Sequence, residues 1–268
     1  MVCLTEETTE ILYRIGAADL VVGVSGYTVR PPEARKKPHV SAFITADVPK
    51  IEALKPDLVL AFSDLQADIV RELLKRGHTV VGFNQRSIEE ILQVVRMVGA
   101  LVGFPTEAET LADELEANCN RVRELAAKLP RRPKVFFEEW DDPLISGIKW
   151  VSELVEIAGG DDIFPEMRER HDGPGRIVTQ AAVLARAPEV ILASWCGKKV
   201  RPERIASRPG WSEMPAVAQN RIHEVKSPRI LQPGPAALTD GLADCHAFIA
   251  AAARGEPAPR LATRAARA

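Results

Sequence analysis

The sequence predicts an α/β fold of two Rossmann-like α/β lobes joined by a single long, rigid helix. Three observations carry this reading. Lys55-Pro56-Asp57-Leu58-Val59-Leu60-Ala61-Phe62 returns later as Ala187-Pro188-Glu189-Val190-Ile191-Leu192-Ala193-Ser194. Each copy reads helix end, proline, acid, then a short apolar run. Proline opens a strand readily because the ladder does not yet need its N–H. A short, continuously apolar run suits a parallel strand buried on both faces. The sequel repeats too: Gly77-His78-Thr79-Val80-Val81 after one helix, Asn220-Arg221-Ile222-His223-Glu224-Val225 after another. Glycine and asparagine tolerate the left-handed turn that closes a helix. Between the copies, Leu111, Leu115, Cys119, Val122 and Leu125 keep a helical period through one long segment. The lobes are assigned to residues 1–104 and 131–256, the connecting helix to 105–130, and a disordered tail to 257–268. Two lobes imply a cleft, and function is expected there.

Within the first lobe, Val2-Cys3-Leu4 reads as a strand and 8–15 as a helix with Thr5 as N-cap and Gly16 as stop. A second strand is expected over 20–24, then a proline-rich loop, a short strand at Val40 and a helix over 48–54. The repeated strand 58–62, a helix over 65–75 and a strand over 79–83 follow. Ser87 with Glu90, and Thr106 with Glu109, are capping boxes opening helices to about 102 and 129. In the second lobe a strand is expected over 134–137 and helices over 151–158, 179–186 and 236–252. The remaining strands are 190–193 and 221–225.

With 268 residues, 46% hydrophobic and 27% charged, the chain has the composition of a globular protein. Its formal net charge of −2 supplies no field that would draw it to nucleic acid. No apolar run has the length to cross a bilayer. Met1 leads directly into the first strand with no signal peptide, which assigns the chain as written to the cytoplasm. A native start further upstream would make it periplasmic or extracytoplasmic. The four cysteines lie far apart with neither CxxC nor zinc spacing, and Cys119 and Cys245 read as buried thiols.

Ligands of open parallel sheets bind beyond the carboxyl ends of the strands. In the first lobe those ends present Thr5, Glu6 and Glu7; Ser25, Gly26, Tyr27 and Arg30; Ser41 and Phe43; Phe62, Ser63 and Asp64; and Asn84 with Arg86. In the second they present Glu138, Glu139 and Trp140; Lys149 and Trp150; Ser194, Trp195 and Cys196; and Arg229. Only 5% of the chain is aromatic, so the recurrence of rings at these ends points to walls for a bulky, partly apolar small molecule. For Phe62 and Trp150 the alternative is a plug over the core.

Catalytic signals are weak. The five histidines share no metal-ligand spacing, and no P-loop or GxGxxG is present. Cys196 has no histidine placed to activate it, and Glu138, Glu139, Asp141 and Asp142 read as a solvated loop. No enzyme activity, resident cofactor or metal is expected.

The chain resembles the substrate-binding proteins of ABC importers for vitamin B12, siderophores and haem, with the B12-binding members nearest. The likeness rests on the run from Leu4-Thr5-Glu6-Glu7-Thr8-Thr9-Glu10 through Val22-Gly23-Val24-Ser25-Gly26-Tyr27 and Pro31-Pro32-Glu33-Ala34. It continues with Ile51-Glu52-Ala53-Leu54-Lys55-Pro56-Asp57, Ile157-Ala158-Gly159-Gly160, Arg208-Pro209-Gly210-Trp211 and Gln232-Pro233-Gly234-Pro235. The resemblance implies the class III, helix-bridged binding-protein fold, a monomer, and a corrinoid such as cobalamin as ligand rather than cofactor. It places Tyr27, Phe43 and Phe62 on the ligand, with phenylalanine where tryptophan is usual at the last two and Arg30 in place of a common aromatic. It also implies an importer membrane component met through one glutamate per lobe. Pro49 and Leu231 stand at those positions, with Asp47 or Glu52 as substitutes on the first lobe.

The leading expectation is therefore non-catalytic capture of a corrinoid, with Ser25, Ser41, Ser63, Asn84 and Ser194 as polar contacts. An anionic chelate such as a ferric siderophore, met by Arg30, Arg86, Lys149, Lys198 and Arg229, is the alternative within the class. An enzyme using Cys196 is the alternative outside it.

Overall fold

A computed structural model describes residues 1–259. The tail expected from 257 therefore lies, from residue 260 onward, outside the described residues. The chain forms two compact units, the first made of Met1–Gln85 and Glu89–Glu114 and the second running from Leu115 onward with Arg86–Ile88.

In the first unit the elements are β1 (Val2–Cys3), α1 (Glu6–Arg14), β2 (Val24–Ser25), β3 (His39–Ala42), β4 (Thr45–Ala46) and α2 (Val48–Ala53). They continue with β5 (Val59–Phe62), α3 (Ala67–Lys75), β6 (Val80–Phe83), α4 (Ile88–Val102) and the beginning of α5 (Pro105–Ala126). Strands β1, β5 and β6 form a parallel sheet with β5 in the centre. That position explains why its four residues are apolar and buried: it has a strand on either side and core on both faces. β2 pairs parallel with β3, and β3 antiparallel with β4. The segment expected as a strand over 20–24 does run beside β1, through Val22 N–H to the Met1 carbonyl (2.9 Å) and Cys3 N–H to the Gly23 carbonyl (3.0 Å). Regular pairing begins only at Val24. Gly23 lets side chains pack closely there: a Cβ would lie 2.7 Å from Leu54 Cδ1 and 3.1 Å from Val2 Cγ2. Val2, Leu4, Val40, Ile51, Val59, Ala61 and Leu73 close the core.

The second unit takes the remainder of α5, then β7 (Lys134–Asp141), β8 (Leu144–Ser146), α6 (Lys149–Ile157), β9 (Asp161–Asp162) and α7 (Gln180–Arg186). β10 (Val190–Ala193), α8 (Pro202–Ala206), α9 (Pro215–Ala218), β11 (Ile222–Glu224), α10 (Ser227–Ile230) and α11 (Leu242–Arg254) complete it. The sheet order is β11-β10-β7-β8, with β9 also on β7 and only β8 antiparallel. β10, the second copy of the repeat, is flanked on both sides, as β5 is in its own unit. α7 starts as expected, Thr179 Oγ1 accepting from Ala182 N–H (3.1 Å). The helix expected from 236 opens instead with a π turn at Ala237–Gly241. Gly241 passes so close to α10 that a Cβ would lie 2.2 Å from the Arg229 carbonyl oxygen.

One expectation is corrected outright. Glu138, Glu139 and Asp141 do not form a solvated loop; they extend β7, and Glu138 is fully buried. The charges are tolerated because each has a partner: Arg208 for Glu138, Arg176 for Glu139 and Lys198 for Asp141. Among the described residues no helix is long and apolar enough to cross a membrane.

Candidate functional site

The first unit ties its strand ends together through side chains. Beyond β1, Thr5 occupies the N-cap of α1, but its hydroxyl donates to Glu7 Oε1 (2.5 Å) rather than accepting from the helix. Beyond β2, Ser25 Oγ accepts from Tyr27 N–H (3.2 Å), a local turn that leaves the Tyr27 ring standing clear, 50% exposed. Gly26 N–H donates to the Ser41 carbonyl (2.7 Å), and the Ser41 hydroxyl donates to the Leu4 carbonyl (2.9 Å). The ends of β1, β2 and β3 are thus one hydrogen-bonded surface.

Glu6 and Glu7 are both buried at the start of α1. Burial pushes the Glu6 carboxyl up to about 7 and that of Glu7 up to about 8. For Glu7 the Thr5 hydroxyl pulls the other way and the neighbouring Glu6 adds to the rise. Burial therefore opposes ionisation of both carboxyls, so this strand end does not carry a fully doubly charged patch near neutral pH. Three residues further on, Glu10 accepts from Arg30 Nε (3.2 Å).

Phe43 lies partly buried in the turn between β3 and β4 with φ +50°, and Phe62 ends β5 at 5% exposure. Ser63 follows at φ 66°, ψ 162°, a region nearly reserved for glycine. Its N–H donates to the Phe83 carbonyl (2.7 Å), and its hydroxyl accepts from Leu65 N–H (3.1 Å). Asn84 is exposed beyond β6 and, with Ser63, Asp64 and Phe83, lines a surface hollow of about 530 Å³ beside α3.

In the second unit the rings are mostly committed to the core. Trp195 is 2% exposed and packs with Phe136, Ile191, Val200 and Trp211. Its Nε1 donates to Glu138 Oε1 (3.1 Å). Trp150 is buried and donates to the Ile230 carbonyl (2.9 Å). Trp140 is partly exposed, with Lys198 Nζ 4.1 Å from its ring centroid. Cys196 is exposed just beyond β10. Arg229 is engaged by Asp244 and Asp240. Lys149 pairs with Glu169 (3.3 Å) and Lys198 with Asp141, so these two, like Arg30 and Arg229, hold carboxylates.

Sequence reasoning passed over two residues that matter here. Glu10 fixes Arg30, and fully buried Gln66 bridges the ends of β5 and β3. Gln66 did leave a signal: with Ile69, Val70 and Leu73 it shares one apolar stripe at positions i, i+3, i+4 and i+7. A polar residue on such a stripe is buried and needs hydrogen-bond partners. The positions expected to dock a transporter also acquire neighbours. Pro49 is exposed in α2, Asp47 caps that helix by accepting from Lys50 N–H (3.1 Å), and Glu52 pairs with Arg76 (3.3 Å).

Residues 1–228 match the periplasmic binding protein family. Among curated relatives, an uncharacterised ABC transporter substrate-binding lipoprotein, YvrC of Bacillus subtilis, is 28% identical over 88% of this chain and 75% of its own length. The vitamin B12-binding protein of Yersinia pestis is 30% identical over 72% of this chain and 69% of its own. Two solved structures share the fold. The periplasmic heme-binding protein RhuT of Roseiflexus sp. RS-1 has a TM-score of 0.78 at 24% identity, covering 92% of this chain and 98% of its own. The periplasmic vitamin B12-binding protein BtuF of Vibrio cholerae has 0.74 at 24%, covering 94% and 96%.

Proposed function

Since the chain belongs to the periplasmic binding protein family, we propose that it binds a small molecule without turning it over, and that this molecule is cobalamin or a related corrinoid. The observation that carries the reading is the strand-end surface of the first unit. There an exposed Tyr27 and a partly exposed Phe43 extend from strand ends that Ser25 and Ser41 tie down by hydrogen bonds. A corrinoid is a large, flat, partly apolar ring system fringed with neutral amides. The aromatic faces of Tyr27 and Phe43 suit its body. The vitamin B12-binding relative supports the same ligand class. The anionic alternative loses support because Arg30, Lys149, Lys198 and Arg229 are already neutralised by carboxylates. The macromolecular partner in this reading is an ABC importer membrane component, met without the paired glutamates, by a monomer.

The test is calorimetric titration of the purified protein with cyanocobalamin and cobinamide, with hemin and a ferric siderophore as comparators. Saturable corrinoid binding at micromolar concentration or below, weakened by Tyr27→Ala, is the expected result. Saturation by hemin or the siderophore alone would replace the corrinoid with that ligand.

A further inference from the structure

We propose that Gln66 is a positioning residue for the ligand surface, its side-chain amide locking the Phe43 turn to the end of β5; this rests on the binding reading above. In a regular parallel ladder the Phe62 N–H would donate to the Leu4 carbonyl, continuing the bond from Leu4 N–H to the Leu60 carbonyl (2.9 Å). Here β1 has already ended, and the Leu4 carbonyl accepts from the Ser41 hydroxyl. Gln66 Oε1 takes the Phe62 N–H instead (3.0 Å), and Gln66 Nε2 donates to the Phe43 carbonyl (2.5 Å).

One side chain thus supplies an acceptor to one strand end and a donor to another, which a primary amide does and an ionised carboxylate does not. The two ends it joins are the strained ones. Phe43 has φ +50° and Ser63 φ +66°, conformations that persist only where the surroundings over-determine them. Gln66 N–H also donates to the Ser63 carbonyl (3.1 Å), so the same residue restrains both bends. Gln66 is completely buried, so it acts through Phe43 and not by touching the ligand itself.

The experiment is a double-mutant cycle read by cyanocobalamin affinity, alongside amide exchange on the ligand-free protein. Gln66→Met keeps the volume and removes both hydrogen bonds. It should weaken cyanocobalamin about tenfold in the native background and less than about twofold in Phe43→Ala. It should also accelerate exchange at the Phe62 N–H about tenfold while leaving Leu60 and Ala61 protected. Gln66→Leu, which also removes both hydrogen bonds at similar volume, serves where the methionine variant does not fold. An equal loss in both backgrounds would mean a structural role only and overturns the proposal, as does unchanged exchange at Phe62. If the native protein does not bind cyanocobalamin, the corrinoid reading falls. The exchange measurement then still decides whether Gln66 joins the two strand ends.

Discussion

Lys55 and Ala187 share a positive φ, +47° in both, each one residue before a proline that introduces an interior strand of its sheet. The repeat seen in the letters is therefore also a repeat in dihedral space. At the end of α2, Lys55 N–H donates to the Glu52 carbonyl (3.0 Å); at the end of α7, Ala187 N–H donates to the Leu184 carbonyl (3.1 Å). The left-handed residue reverses the chain, and Pro56 or Pro188 prevents the helix from continuing. Neither position carries glycine, so both junctions hold a residue whose Cβ opposes the turn.

Lys55→Gly and Ala187→Gly should each stabilise the protein, by about 0.5–1 kcal/mol, because a left-handed residue with a Cβ costs more than glycine's extra unfolded-state freedom. Urea unfolding of the two variants measures this. A loss of stability at either would mean that the side chain contributes packing there that outweighs the backbone relief.

What was legible in the sequence follows from which interactions are local. β5 and β10 are legible because burial on both faces demands continuous apolar residues. β7 runs four residues past the expected 134–137, because Glu138 to Asp141 look like a loop until Arg208, Arg176 and Lys198 arrive from distant segments. The candidate site divides the same way. Tyr27 and Phe43 stand where strand-end logic put them and remain at least partly exposed, whereas Trp150 and Trp195 belong to the core of their unit. Only tertiary neighbours decide which ring faces inward, and a lone sequence does not contain them.

Glu7 sets a pH dependence. Its carboxyl is pushed up to about 8 by burial, against 4.5 for the ordinary group, so the folded state holds a proton that the unfolded state has released. Between those two values stability falls as pH rises; below about 4.5 the penalty is absent, and above about 8 it is complete. Glu6, pushed to about 7, adds in the same direction. Glu7→Gln removes one titration, so unfolding at pH 8 should become harder by on the order of 3 kcal/mol, with little change at pH 4.5. Denaturation across that range checks it, and parallel curves for the two proteins would show that Glu7 is not held protonated.

The Glu138–Arg208 pair makes a stability prediction of the opposite kind. Glu138 is fully buried in β7, accepting from Arg208 through both oxygens (2.6 and 2.9 Å) and from Trp195 Nε1 (3.1 Å). Burial raises its pKa, and the guanidinium works against that rise. Arg208→Ala leaves a buried carboxylate without its countercharge and should cost roughly 3–5 kcal/mol. Adding Glu138→Gln to that variant should restore part of the loss, since the orphaned charge disappears. A double variant as unstable as the sum of the singles would mean that the two side chains do not act as a pair.

Cys196 separates binding from catalysis. It is exposed beyond β10, whereas Cys3, Cys119 and Cys245 are buried. Burial pushes the Cys3 and Cys119 thiols to about 11 and raises that of Cys245 as well, which makes all three poor nucleophiles. Titration of the native protein with a thiol-specific disulfide reagent should therefore label one cysteine quickly and the other three only after unfolding. Cys196→Ser should abolish the fast phase and leave cyanocobalamin affinity within about twofold, because the proposed ligand surface belongs to the first unit. Loss of corrinoid binding in that variant would bring Cys196 into the site. A thiol-dependent turnover that vanished with it would make the protein an enzyme on a binding-protein fold.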